Sequence, residues 1–183
     1  MGENFINKSI NFSHSLDNIP NSIKKLSIYG KNYFGDKNSI LQDIIYDTKL
    51  NTIIKNEYGE IIGIEFHDNF YQSVGGENLP QTLTYLGLGK NFSQKLTNLP
   101  NSLTHIKLNM ERYCYINSLP NSLTHLEIGD KFMQRFNKLS DNLEQITICN
   151  EFQKRLFANA KCIRDYKINI KLEQSDEDVS DDE

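Results

Sequence analysis

The sequence has no tryptophan, only four prolines and three cysteines, and no apolar run approaching the roughly 18 residues that a membrane span needs. Its first ten residues, MGENFINKSI, lack the basic and then apolar segments of a secretion signal. The cysteines, Cys114, Cys149 and Cys162, form no Cys-x-x-Cys pair and cannot all pair within the chain, so we expect reduced thiols. These absences predict a cytoplasmic protein that has no contact with a membrane.

Charge is distributed unevenly along the chain. The formal net charge is −4, but residues 173–183 hold seven acidic side chains and no basic one, so the remaining 20 basic and 17 acidic residues leave a body of +3. A self-repelling segment with so little apolar surface is predicted to be a disordered tail. Within it, Ser175 and Ser180 are followed by acidic residues and are candidate phosphorylation sites. The alternative is that the tail is a solubilising end that also caps the terminal coil.

All four prolines lie in one recurring phrase. It reads Leu-Pro-Asn-Ser-Leu at 99–103 and 119–123, with close variants at 19–23 and 79–83, and the phrases at 79, 99 and 119 begin 20 residues apart. Residues 139–143 continue the series with serine in place of proline. The residue before a proline favours extended geometry, so the phrase is typical of a turn that leads into a strand.

Apolar residues keep fixed places within each unit. If the leading Leu is position one, positions five, eight, ten and eighteen are apolar and position fourteen is usually Phe, as in Phe92, Phe132 and Phe152. The position-eight residues are Leu26, Ile44, Ile64, Leu86, Ile106, Leu126, Ile146 and Tyr166. A period near 20 is too short for a two-helix repeat. It predicts a leucine-rich-repeat-like, right-handed solenoid of about seven to eight coils, with 20–22 residues per coil, a parallel β-sheet on one wall and irregular arcs on the other.

This phrase, Leu-Pro-Asn-Ser-Leu-Thr-His-Leu-x-Ile-Gly-Asp-x-Phe-x-Gln, resembles the FNIP repeat, a short leucine-rich-repeat-like family of amoebae and of giant viruses that infect them. The best copies are 79–98, 99–118, 119–138 and 139–158, although Arg112 stands where Phe is usual. The expected organisation is an N-terminal cap at 1–18, a solenoid at 19–172 and the tail at 173–183. Many giant-virus members of the family have an F-box before the repeats. The 18 residues that precede the first repeat here predict a chain without one.

The resemblance implies a non-catalytic module for protein–protein interaction, and a recognition component that acts on host proteins in the host cytoplasm if the chain is viral. In a stacked solenoid, positions seven and nine face outward in columns about 4.8 Å apart. Position seven gives Lys25, Asp43, Gly63, Tyr85, His105, His125, Gln145 and Asp165, and position nine includes Lys107 and Glu127. The candidate partner-binding face comprises Tyr85, His105, Lys107, His125, Glu127 and Gln145. Its mixed charge favours a protein partner over nucleic acid.

Two other classes of function stay open at this point. The stacked histidines, His105 and His125, are the residues of a lesser alternative, a metal-binding or hydrolytic protein, although Tyr85 and Gln145 beside them are poor further ligands. Exposed end coils are the basis of the other, a self-associating structural protein with weak contacts between copies. No catalytic residue, metal or cofactor is predicted.

Overall fold

The structure is a computed structural model, and it describes residues 25–28, 31–47, 51–70, 72, 74, 78–114, 116, 119–136, 138–158 and 167–170. The predicted cap at 1–18 and the tail at 173–183, with Ser175 and Ser180, lie outside the described residues. So do Cys162, Asp165 and Tyr166.

A seven-stranded sheet forms one wall of the molecule. In chain order the elements are β1 (Lys25–Ile28), β2 (Lys31–Phe34), α1 (Lys37–Ile45), β3 (Asn51–Lys55), β4 (Ile61–Phe66), β5 (Tyr85–Leu88), β6 (His105–Leu108), β7 (His125–Ile128), β8 (Gln145–Ile148), a 3₁₀ helix (Glu151–Leu156) and β9 (Lys167–Ile170). The order in the sheet follows the chain from β3 to β9. All pairings from β4 to β9 are parallel, and β3 joins β4 antiparallel. The predicted parallel-sheet solenoid is therefore confirmed.

The position-eight residues lie directly opposite one another across the sheet. Ile64 pairs with Leu86, and the file continues through Ile106, Leu126 and Ile146. These side chains are at most 2% exposed and form the inner wall of the core. The next partner is Ile168, whereas the repeat predicted Tyr166. The step from Ile146 to Ile168 is 22 residues, which equals the step from Ile64 to Leu86 and exceeds the three 20-residue steps between them.

The phrases at 79–83, 99–103 and 119–123 form the turn that was predicted from their residues, and the phrase at 19–23 lies outside the described residues. The carbonyls of Pro80, Pro100 and Pro120 accept a hydrogen bond from the amide three residues later, at 3.0–3.1 Å. The Ser102 hydroxyl donates to the Leu83 carbonyl at 2.6 Å, and Ser122 donates to Leu103 at 2.7 Å. The serine of one coil thus satisfies a carbonyl of the coil before it, which ties successive turns together.

The arcs that return from strand to turn close the core with aromatic side chains. Phe92 and Phe132, at position fourteen, are fully buried, and Leu96, Phe136 and Leu156, at position eighteen, are at most 5% exposed. The prediction is wrong for Phe152, which is 74% exposed. The 3₁₀ helix turns Gln153 inward instead, where its amide nitrogen donates to the carbonyl of Gly129 at 2.7 Å and its amide oxygen accepts from the amide of Cys149 at 2.8 Å.

The weak copies near the N-terminal end do not form coils of the parallel sheet. Leu26 lies in β1, which pairs only with β2 in a separate antiparallel sheet, and Ile44 lies in helix α1. The Asp36 side chain caps this helix by accepting from the Ser39 amide at 2.9 Å, and the buried Ile40 and Ile44 follow helical spacing. Within the described ranges, the parallel sheet therefore contains fewer coils than the predicted seven to eight. No helix in the described part of the chain is long and apolar enough to cross a membrane.

Candidate functional site

Outward side chains of the parallel strands form two columns, which we call the strand face. Strand pairing aligns Tyr85 with His105, His105 with His125 and His125 with Gln145 in the position-seven column. The position-nine column contains Glu65, Gly87, Lys107, Glu127 and Thr147 in the same register. The predicted Lys25 and Asp43 lie elsewhere, in β1 and α1, and Lys167 occupies the row that was predicted for Asp165.

His105 and His125 stack at the centre of the strand face. Their ring centroids are 4.2 Å apart and their planes differ by 10°. Each Nδ1 lies 2.8 Å from the hydroxyl of the preceding threonine, Thr104 or Thr124. Both hydroxyls donate to a carbonyl of the preceding coil, at 3.2 and 3.1 Å. A hydroxyl has one proton, so it accepts from the imidazole. We therefore assign Nδ1–H to both rings, with the lone pair on Nε2.

This stacking affects the protonation of His105. Burial lowers the pKa of His105 from its ordinary value, and the neighbouring charge of a protonated His125 lowers it further. Desolvation and a like charge both disfavour the imidazolium. The neutral imidazole, which accepts a hydrogen bond at Nε2, is thus the favoured form near neutral pH.

The geometry of the pair bears on the metal-binding alternative. A ring nitrogen's lone pair lies in the ring plane, so two rings within 10° of parallel point their lone pairs alongside each other instead of toward one ion. Among the described residues, no group of three or more His, Cys, Asp or Glu side chains is placed to hold a metal ion. The arrangement is better suited to accepting two hydrogen bonds from a ligand.

A second cluster lies beside the histidines and includes Glu65, which the sequence did not single out. Glu65 Oε1 is 3.0 Å from Lys107 Nζ, although the two residues are two strands apart. Between them stands Gly87, where a Cβ would lie 2.7 Å from Glu65 Cγ. The glycine leaves the gap through which the ion pair forms. A glycine between two opposite charges in one column is the signal that could have identified Glu65.

Tyr85 completes this cluster. Its hydroxyl donates to Glu65 Oε2 at 3.3 Å. Burial raises the pKa of Tyr85, and the negative charge of Glu65, its hydrogen bond and the charge of Glu127 raise it further. Tyr85 is therefore a neutral donor at physiological pH, with its ring edge on the strand face and its hydroxyl bound to Glu65.

Gln145 extends the column beyond the histidines. Its amide nitrogen makes a long hydrogen bond of 3.4 Å to the Thr147 hydroxyl.

Cys114 lies away from the strand face, in the arc that follows β6. Burial raises the pKa of its thiol to about 12, and its Sγ donates to the Gln94 carbonyl at 2.8 Å. A thiol that stays protonated is a poor nucleophile, so Cys114 serves packing.

Comparison with known proteins identifies the repeat. A family model described as FNIP Repeat matches residues 70–111. This segment contains FNIP repeats. It spans Phe70, the turn at Pro80, strands β5 and β6 and the arc as far as Glu111, and so it includes Tyr85, His105 and Lys107 of the strand face. Within this segment, His105 lies at the surface and Phe92 lies in the core.

The chain was also compared with curated proteins and with solved structures. No curated protein matches the chain. Among solved structures, the chain is similar to CroV588, which is described as a novel circular LRR protein, with 37% identity and a TM-score of 0.42. The match covers 54% of this chain and 16% of CroV588, so this chain spans a small part of that protein's length.

Proposed function

We propose that the chain is a non-catalytic module for protein–protein interaction that binds its partner through the strand face. The observation that carries the proposal is the stacked pair of His105 and His125. A threonine hydroxyl holds Nδ1 of each ring, which leaves Nε2 of each ring as a hydrogen-bond acceptor on adjacent strands. The repeat fold supports the same conclusion, since solenoids of this kind present extended surfaces for recognition.

The strand face is organised before it binds. The imidazoles are held by stacking and by threonine, and Lys107 and Tyr85 are held by Glu65. Binding therefore costs less side-chain entropy than it would on a surface of mobile side chains. Tyrosine and central, partly desolvated groups commonly dominate interface energy, which makes this cluster the expected centre of contact.

The test is affinity purification with the full chain as bait, from the amoebal cells that the family resemblance implies. A captured protein is then purified and its Kd is measured by calorimetry. The face variant His105→Ala with His125→Ala should weaken binding by at least about tenfold. The control variant, Glu57→Ala with Tyr58→Ala, changes exposed residues in the turn between β3 and β4 and should leave the Kd unchanged.

Three results would reject the proposal. Equal weakening by the face and control variants would show that the strand face has no special role. A sedimentation coefficient that rises with concentration and falls in the face variant would favour self-association. Stoichiometric uptake of Zn²⁺ that is lost in the face variant would favour the metal-binding alternative.

A further inference from the structure

Basic and acidic residues are distributed differently on the two walls of the best four coils. The arcs, residues 89–98, 109–118, 129–138 and 149–158, contain eight basic residues and three acidic ones. The turn-and-strand halves of the same coils contain one lysine and three acidic residues. The wall opposite the sheet is therefore basic within a chain whose formal net charge is −4.

Basic residues recur at one position of the arcs, and a backbone hydrogen bond joins two of these arcs. Arg135 and Arg155 both occupy position seventeen and are exposed, and the residues after them are joined by a bond from the Phe136 amide to the Leu156 carbonyl at 3.2 Å. Lys95 occupies the same position two coils earlier, beside the parallel bridge between Leu96 and Ile116. Position seventeen is thus cationic in three of the four best coils, with Tyr115 at this position in the coil that begins at Leu99.

Large apolar side chains are exposed on the same arcs. Tyr113 is 73% exposed, Met133 is 59% exposed and Phe152 is 74% exposed. The Gln134 side chain bonds the Arg112 carbonyl and the Cys114 amide, which places Met133 next to the arc of Tyr113. The Gln153 side chain reaches the Phe132 carbonyl at 3.3 Å, which places Phe152 next to Met133's arc. These three side chains, which we call the apolar stripe, thus lie on adjacent arcs, and two of those arcs also carry Arg135 and Arg155.

The acidic residues of the arcs do not balance this charge. Glu111 pairs with Lys131 at 3.1 Å, and Glu151 pairs with Lys154 at 2.7 Å. These pairs engage two of the three arc carboxylates, and the eight basic residues of the arcs still outnumber the three acidic ones. A surface with excess cations beside exposed apolar groups fits a ligand with the opposite charge and apolar side chains of its own.

We propose that the arc surface, comprising Lys95, Arg135 and Arg155 with Tyr113, Met133 and Phe152, binds an acidic segment of a partner protein that also carries apolar side chains. A protein segment fits better than nucleic acid. The guanidinium of Arg155 lies 6.0 Å from the centroid of the Phe152 ring and covers one of its faces, where a base would stack. Met133, which is 59% exposed, offers contact to an aliphatic side chain. This surface is separate from the strand face and does not depend on it.

The test measures fluorescence anisotropy of labelled 12-residue peptides with the full chain. One peptide alternates glutamate with leucine, and its control has glutamine in place of each glutamate. We expect the glutamate peptide to bind more tightly and to lose affinity as salt rises. Arg135→Glu with Arg155→Glu should weaken it by about tenfold or more. The matched reversal Lys37→Glu with Lys55→Glu, away from the arcs, should change the Kd by less than about twofold.

Other arms of the experiment address the apolar stripe and the competing ligands. Tyr113→Ala with Met133→Ala should also weaken the glutamate peptide, without lowering the unfolding temperature. If charge reversal prevents folding, Arg135→Gln with Arg155→Gln takes its place. Equal binding of the two peptides, or no binding of either, overturns the proposal. Tighter binding of a 12-nucleotide oligouridine overturns it in favour of nucleic acid. Binding that appears only when the seven acidic residues of 173–183 are changed to amides shows that the chain's own tail occupies the surface, which also overturns it.

Discussion

At the scale of single residues, the ion pair of the strand face depends on a position that is occupied by glycine. Gly87 lies between Glu65 and Lys107, and the space above it contains the Glu65 carboxylate and the Tyr85 hydroxyl. A side chain at 87 would fill that space. The glycine is therefore needed for close approach of neighbouring side chains, and its backbone conformation is ordinary.

We expect Gly87→Val to destabilise the protein by about 1–3 kcal/mol, because the new side chain meets Glu65 and separates it from Lys107. Urea denaturation measures the change. The companion variant Lys107→Met removes the ion pair without the clash and should cost at most about 1 kcal/mol, since the pair is partly exposed. If Gly87→Val costs no more than Lys107→Met, the steric account is wrong.

The histidine pair predicts a pH dependence with a definite sign. The pKa of His105 is lowered in the folded state, so between the ordinary value of about 6.5 and the folded value the unfolded chain binds more protons. The free energy of unfolding should therefore fall as the pH drops below about 6.5, and level off below the folded pKa. Urea denaturation at a series of pH values checks this, and His105→Gln should reduce the fall.

NMR titration of the imidazole tests the cause directly. His125→Gln should raise the pKa of His105, because it removes the neighbouring charge, but should leave it below its ordinary value, because burial is the larger cause. An imidazole of His105 that titrates at or above about 6.5 in the unmodified protein would contradict the burial argument.

At the scale of elements, the turn before each strand provides contacts that join coils. The backbone turn is local, but the serine hydroxyl bonds a carbonyl of the preceding coil. In the coil that begins at Leu139, Ser140 replaces proline, and both the Ser140 hydroxyl and the Asn142 amide bond the Asn121 carbonyl. Different side chains therefore satisfy the same kind of acceptor when the phrase changes.

We expect Ser102→Ala and Ser122→Ala each to reduce the free energy of unfolding by about 1 kcal/mol, because each leaves a carbonyl of the preceding coil without its hydroxyl donor. Chemical denaturation measures both. Ser39→Ala, on the exposed side of α1, is the control and should change stability by less than about 0.5 kcal/mol. A control effect as large as that of Ser102 would indicate that the hydroxyl bonds contribute nothing specific.

At the scale of the whole molecule, stability depends on stacking. No single coil can bury its own leucines, and the strands of the seven-stranded sheet hydrogen-bond to their neighbours in chain order. Leu126 lies in β7, between Ile106 and Ile146, and is 1% exposed. A cavity there is expected to weaken the coils on both sides.

Leu126→Ala should destabilise the protein by about 2–5 kcal/mol. Hydrogen exchange should show that amides of β6, β7 and β8 lose more protection than those of β3, because coupling passes between nearest neighbours. Met133→Ala, at a side chain that is 59% exposed, is the control and should leave exchange unchanged. Uniform loss of protection across the sheet would indicate a single cooperative unit instead.

The accuracy of the predictions varied along the chain for physical reasons. The file from Ile64 to Ile146 was predictable, because a repeat with one apolar residue every 20 or so positions can bury them only by stacking. Ile44 fitted the same template but lies in α1, since a local cap at Asp36 and the apolar spacing of four residues favoured a helix. Phe152 fitted too, but the 3₁₀ helix buries Gln153 in that arc, where the amide satisfies backbone carbonyls.

The sequence by itself determined the period, the parallel sheet and the two outward columns, because repetition forces equivalent residues into equivalent places. Only the tertiary structure decided which side chains in those columns interact and in what protonation state. The Glu65–Lys107 pair crosses two strands, the tautomers of the histidines depend on carbonyls of a neighbouring coil, and a backbone hydrogen bond joins the arcs of Arg135 and Arg155. Each is a contact between coils, and its distance and orientation depend on how one coil lies on the next.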